Sequence, residues 1–181
     1  IKISIIIPIK DPKISLHGSI LQISRQDISL QYELILIDSS KRSRHKKRLV
    51  SLSKELNINL IYLKIRPEDF DHAATRDKAA SFASGDILVF LTQDAIPADR
   101  HWLSYLIKDL DDPDVAAVWS RQLPRRQASR LEKAMHNSGF SASKKARISK
   151  IDSIEEYDNM TPEQRYKLCS FENISSAIRE D

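Results

Sequence analysis

Residues 71–97 read DHAATRDKAASFASGDILVFLTQDAIP, and the change of pattern within them decides the fold class. Positions 71–84 are long enough for a helix and carry small apolar residues at helical spacing. Ile87–Leu91 is instead an unbroken apolar run, too short for an independent helix and closed off by Thr92, Gln93 and Asp94. A strand without polar alternation is buried on both faces, so helices must cover both sides of its sheet. The same couplet of short apolar run and longer amphipathic stretch recurs along the first two thirds of the chain. Strands are expected at Lys2–Ile9, Glu33–Asp38, Asn59–Leu63, Asp86–Leu91 and Val115–Trp119, with helices between them at about 14–26, 43–56, 71–84 and 99–110. An α/β fold follows, with a mainly parallel sheet flanked by helices on both faces. Beyond Leu123 the periodicity weakens. A helix is expected around 128–137 from Leu131, Ala134 and Met135, residues 138–150 are small, basic and aperiodic, and Thr161 and Pro162 read as the cap and first residue of a further helix.

Length and composition bound what this fold can be. The chain has 181 residues, 41% of them hydrophobic and 30% charged, which suits a globular protein and excludes wholesale disorder. Folding at this length buries roughly 70% of the extended chain's surface, so no metal or disulfide is needed merely to fold. The single cysteine, Cys169, closes no internal disulfide and fits a reducing, cytoplasmic compartment. No run approaches the ~20 apolar residues that span a bilayer, and no charged-then-apolar leader precedes the first strand. Because the chain begins at Ile1 inside a strand, it is expected to be an excerpt of a longer protein. The net charge of +4 is unevenly spread: residues 41–48 hold six Lys/Arg and no acid, residues 121–150 hold nine against Glu132 alone, and residues 151–181 hold eight acids against three bases. Basic clusters of this size attract phosphates, anionic lipid or nucleic acid, and they are also what a solvated helix face looks like. A peripheral contact at the inner face of the cell membrane is therefore one expectation. Nucleic acid is not an expected partner, since the clusters lack interleaved aromatics and any known motif.

The phosphate loops G-x-G-x-x-G and G-x-x-x-x-G-K-[ST] are absent, as are H-E-x-x-H and G-x-S-x-G; three glycines in all leave no room for a disguised version of the first two. Ligands of open parallel sheets bind outside the carboxyl ends of the strands, where strand order reverses. The polar residues at those ends are Lys10 and Asp11, Asp38 and Ser39, and Thr92, Gln93 and Asp94. Asp94 is placed to hold a hard divalent cation shared with a diphosphate, or equally to cap the next turn. In the helix at 71–84, Ala73, Arg76, Ala80 and Ala83 form one stripe, which places Arg76 against the sheet, where a charge needs either a bound anion or an acid such as Asp38 or Asp94. His72 lies one turn earlier. Asp38 is able to accept a hydrogen bond from the imide nitrogen of uracil or thymine, or to begin the turn into the next helix.

Taken together, the segments ISIIIPIKD, ELILIDSSK, DFDHAATRDKAASFASGDILVFLTQDAIPADRHWL and WSRQLPRRQASRLEKA resemble the family-two inverting glycosyltransferases of GT-A fold, and most closely in look the bacterial rhamnosyltransferases of surface-polysaccharide assembly. The resemblance covers about residues 3–135 and returns at Cys169–Arg179. It implies transfer of a sugar, with inversion, from dTDP-rhamnose or a UDP-sugar to a glycan or lipid-linked glycan acceptor. It further implies that Pro8, Ile9 and Asp38 hold base and ribose, that Arg76 and Gln93 lie at the nucleotide, and that Asp94 binds Mg or Mn. The sequence departs from the family at Gln93, which replaces the first acid of a two-carboxylate motif, at Asp77 in place of Asn, and at Ser120 in place of Gly. The carboxylate that takes the acceptor proton is expected beyond Asp181, so no catalytic base is assigned. By this resemblance residues 1–181 form one GT-A domain incomplete at its end, with 1–120 the nucleotide-sugar half and 121–181 the start of the acceptor side. A non-catalytic nucleotide-sugar-binding domain of a larger protein matches the same residues and remains the alternative.

Overall fold

The structure, a computed structural model, describes residues 1–138 and 143–180. Six strands form one sheet in the order β3-β2-β1-β4-β6-β5: β1 (Lys2–Ile9), β2 (Gln31–Asp38), β3 (Asn59–Lys64), β4 (Ile87–Leu91), β5 (Ala117–Trp119) and β6 (Ser175–Arg179). β1 to β4 are mutually parallel, with Ile9 beside Asp38 and Ile6 beside Phe90, while β6 runs antiparallel to both β4 and β5. The unbroken apolar strands are covered on both faces. Ile3, Ile5, Ile7 and Ile9 of β1 point to one side, where they meet α1 (Ile14–Ile23), α2 (Lys46–Glu55) and α4 (Trp102–Ile107). Ile6, with Ile35, Ile37, Leu88 and Phe90, points to the other, where α3 (His72–Ala80) lies through Ala79.

Two compact units emerge, residues 1–119 with 173–181, and residues 120–172. The second holds α5 (Arg130–Ser138), α6 (Ile154–Asn159) and α7 (Pro162–Cys169). α7 opens as its sequence announces, with Pro162 at the first position and the Thr161 and Gln164 side chains exchanging hydrogen bonds with each other's backbone amides. The aperiodic stretch is expected at Ser138–Lys150; Ser138 instead closes α5, and residues 139–142 of that stretch lie outside the described residues.

Two local expectations are corrected. α3 stops at Ala80 rather than 84: Phe82 N and Ala83 N tighten to the carbonyls three residues back, Ala79 O and Ala80 O, and the amides that would continue the helix go elsewhere, Ser84 N to Glu33 Oε1 at 2.8 Å and Gly85 N to Ser4 Oγ at 3.0 Å. Gly85 is required there, since a Cβ would stand 2.6 Å from Ser4 N and 2.7 Å from the Ile3 carbonyl carbon. The sheet-facing stripe of α3 is also out of phase with the one expected. Thr75 and Ala79 are buried, Ala73 is exposed, and Arg76 sits half-buried at the border. β6 went unforeseen, although Trp102 Nε1 anchors it by donating to Ser175 Oγ at 2.9 Å.

Candidate donor-binding site

β2 and β3 lie to one side of β1 and β4 to the other, so strand order reverses between β1 and β4. A cleft of about 150 Å³ opens at the carboxyl ends of those two strands, on the α3 face, lined by Pro8, Ile9, Phe70, His72, Arg76 and Gln93 among others. This is the crevice that such sheets offer to ligands. Pro8, Ile9, Arg76 and Gln93, all named from sequence, meet here.

Arg76 is the unusual member. Asp71 caps α3, its Oδ1 accepting from Ala73 N and Ala74 N at 2.9 Å each, and so fixes where the first turn and Arg76 lie. Among the described residues the guanidinium makes one hydrogen bond, from Nη1 to His72 O at 2.7 Å, and its Nε is buried with no partner. The expected alternative, an ion pair with Asp38 or Asp94, is not formed. Burial holds the Arg76 pKa below its usual value, the sign of a cation stripped of water with no carboxylate beside it.

Gln93 is used differently from an acid. Its Oε1 accepts from Lys10 N at 2.9 Å and its Nε2 donates to Lys10 O at 3.2 Å, so one amide stitches the two loops at the switch point as a strand neighbour would. Asp94 follows it in the turn and is exposed. Among the described residues no group of three His, Cys, Asp or Glu converges to hold a metal.

Asp38 ends β2 fully buried and is not part of the cleft lining. Its oxygens accept from Ser40 N at 2.7 Å, Ser43 Oγ at 2.5 Å and Tyr62 OH at 2.6 Å, with His45 Nε2 at 3.4 Å and Lys64 Nζ at 3.8 Å. Burial alone would push its pKa up, but the donors outweigh it and hold the carboxyl at about 2. Phe70, edge-on to His72 with ring centroids 5.0 Å apart, was missed from sequence. An aromatic immediately before the capping Asp71 was the available signal.

Comparison with known proteins now gives the family. The profile of glycosyl transferase family 2 matches residues 4–173. The O-antigen chain rhamnosyltransferase RfbN of Salmonella typhimurium is 36% identical over 155 residues, 85% of this chain and 47% of that protein, so the chain spans about half the length of this relative. Among solved structures, the mannosyltransferase PcManGT of Pyrobaculum calidifontis, in complex with GDP-Man and Mn2+, gives a TM-score of 0.61 at 23% identity, covering 68% of this chain and 36% of that one. TarS of S. aureus with UDP-GlcNAc gives 0.60 at 15% identity, covering 71% and 36%. At these identities the structures speak to the fold, which is the GT-A arrangement of parallel sheet and covering helices, and the profile speaks to ancestry. The chain belongs to glycosyl transferase family 2.

Proposed function

We propose that this chain forms the donor side of an inverting glycosyltransferase that moves rhamnose from dTDP-rhamnose to a growing surface-polysaccharide chain, free or lipid-linked. The observation that carries the reading is Arg76: a buried, unpaired guanidinium nitrogen in a cleft at the point where strand order reverses. A diphosphate supplies the anionic oxygens that Arg76 lacks, and a charge-assisted hydrogen bond to it is among the strong kinds. Pro8 offers an apolar edge to the base; Ile9 lines the cleft beside it but is 1% exposed and packs its side chain into the core on the opposite face. Asp38 has its oxygens engaged by Ser40, Ser43 and Tyr62, so in this reading a base reaches it only by displacing one of those donors. The likeness to RfbN, whose name states rhamnosyl transfer in O-antigen synthesis, supports the choice of sugar and acceptor. The reading places the protein in the cytoplasm, at the inner face of the membrane, and places the base that takes the acceptor proton beyond Asp181.

A divalent cation, Mg or Mn, fits this edge with help from the substrate. One exposed carboxylate is a hard oxygen ligand, so Asp94 would hold the cation while diphosphate and water complete its shell. Such a cation supplies charge neutralisation for the departing diphosphate.

The test is calorimetric titration of dTDP into wild type and Arg76→Ala, with urea unfolding of both in the absence of ligand. Affinity should fall ten- to hundredfold, the scale of a lost charge-assisted hydrogen bond of about 1.5–3 kcal/mol. Unliganded stability should stay level or rise, since the substitution removes a desolvated charge. Unchanged affinity with a large stability loss would refute the assignment.

A further inference from the structure

On the face of the sheet opposite the donor cleft, α1 and α2 enclose a surface groove of about 480 Å³. Its walls are Ile14, Gly18, Leu21 and Leu52, with His17 and Arg48 among them and Glu55 also on the lining, where it accepts from Ser51 Oγ at 3.1 Å. Three observations there have no role in donor binding. Ile14 stands 78% exposed on the groove's rim. Both ring nitrogens of His17 are buried without a hydrogen-bond partner among the described residues. The adjoining segment Lys41–Arg48 carries six Lys/Arg, of which Lys46 lies 5.1 Å over the Tyr62 ring while Lys41, Arg42, Arg44, Lys47 and Arg48 are exposed and pair with no carboxylate among the described residues.

We infer that this face docks on a bilayer leaflet bearing anionic phospholipid, with the cations of 41–48 against the headgroups, Ile14 in the acyl boundary, and a headgroup phosphate at the mouth of the groove beside Arg48 and His17. Charge complementarity selects the leaflet over a neutral partner, because a cluster of unpaired cations on one rim is attracted to a negative surface potential. A lone exposed Ile beside such a cluster adds the apolar anchor that distinguishes insertion from simple counter-ion attraction. A headgroup oxygen or hydroxyl also gives the orphaned imidazole nitrogens the partner they lack. Soluble nucleotide phosphate is disfavoured as the occupant, because the donor cleft lies on the other face of the sheet. The inference sharpens the inner-membrane location already proposed, but rests on the groove and the cation cluster alone.

Co-sedimentation with large unilamellar vesicles tests it. Vesicles of phosphatidylcholine are compared with vesicles in which part of that lipid is replaced by phosphatidylglycerol. Binding should require the anionic lipid and weaken with salt. Each cation at an anionic surface contributes about fivefold in partition, so the double reversal Arg44→Glu with Lys47→Glu should lower it at least about twenty-five-fold. Ile14→Ser should lower it severalfold at constant charge. Both changes lie on exposed side chains, so circular dichroism and dTDP affinity should match wild type, which separates failure here from failure of the donor reading. Equal binding to neutral vesicles, or partition into anionic vesicles that the variants leave unchanged, would overturn the inference. So would a short oligonucleotide that binds this patch while anionic vesicles do not.

Discussion

β2 carries a buried carboxylate near each end, and the two live in different chemical neighbourhoods. Glu33, towards the amino edge of the sheet, accepts from Ser4 Oγ at 2.7 Å, Ser84 N and Ser84 Oγ at 2.8 Å, and pairs with Lys2 Nζ at 3.1 Å. Those donors come from β1 and from the turn between α3 and β4, so Glu33 ties parallel neighbours together and lines neither the donor cleft nor the α1–α2 groove. Asp38, at the carboxyl edge, is held instead by its own following loop and by β3. Arg76, on that same edge, keeps a buried Nε with no hydrogen-bond partner among the described residues. A buried charge satisfied by the chain marks architecture, and one left unsatisfied marks a place for a ligand.

The largest expected effect follows from removing Glu33. Burial pushes its pKa up, but the hydroxyl, amide and ammonium donors outweigh that and hold it below the ordinary value. Glu33→Ala strands those donors beneath the sheet, so urea unfolding should show a loss of about 3–5 kcal/mol, the cost of breaking a buried charged network. The dTDP affinity of the remaining folded protein should not change. A stability loss under about 1 kcal/mol would mean that water replaces the carboxylate, and the contrast between the two edges would collapse.

Asp38 gives a smaller, pH-dependent effect. Its folded pKa of about 2 lies below the 3.8 of an ordinary Asp, so the unfolded chain binds the proton first as pH falls. The stabilisation is therefore complete above the unfolded value and is lost as pH drops through the interval down to about 2. A gap approaching two units corresponds to ~2 kcal/mol. Unfolding midpoints followed from pH 6 to pH 2.5 should fall more steeply in wild type than in Asp38→Asn, since the neutral side chain cannot contribute to the slope. Parallel curves would show that the Ser40, Ser43 and Tyr62 contacts do not form in solution.

Much of this was legible in the chain, for reasons that differ by residue. β1, β2 and β4 announced themselves because a strand covered on both faces must be apolar throughout, and the reversal of their order made Pro8, Ile9 and Gln93 worth naming. Arg76 was legible as a charge among small residues, although the helix phase was off by about one residue and Ala73 faces solvent. What stayed hidden was tertiary. The true end of α3 depends on Ser4 and Glu33, distant in sequence, which take the amides of Gly85 and Ser84. Nothing local distinguishes SSAIR as a strand, because its partners β4 and β5 are supplied from far along the chain. The sequence likewise left Asp38 open between an acceptor for a base and the start of a turn, since Tyr62 and His45 reach it only once β3 and the loop before α2 are in place.

The smallest effect concerns Gln93, which stands where the resemblance to the family puts an acid. Its amide is matched to the Lys10 peptide, accepting from N and donating to O. A carboxylate keeps the first bond but turns a second oxygen towards the Lys10 carbonyl, so Gln93→Glu loses one hydrogen bond and gains a repulsion. The loss of one such bond is worth about 1 kcal/mol. Arg76 lines the same cleft, whose lining among the described residues holds no acid, and its attraction for the new charge limits the damage to that scale. Urea unfolding should thus register a drop of roughly 1 kcal/mol, with little change in the Mn dependence of dTDP binding. If Gln93→Glu instead left stability intact and tightened Mn-dependent binding, the position would be a metal-ligand site from which the acid had merely been lost. The Gln93 to Lys10 pairing would then be incidental to how the carboxyl edge is built.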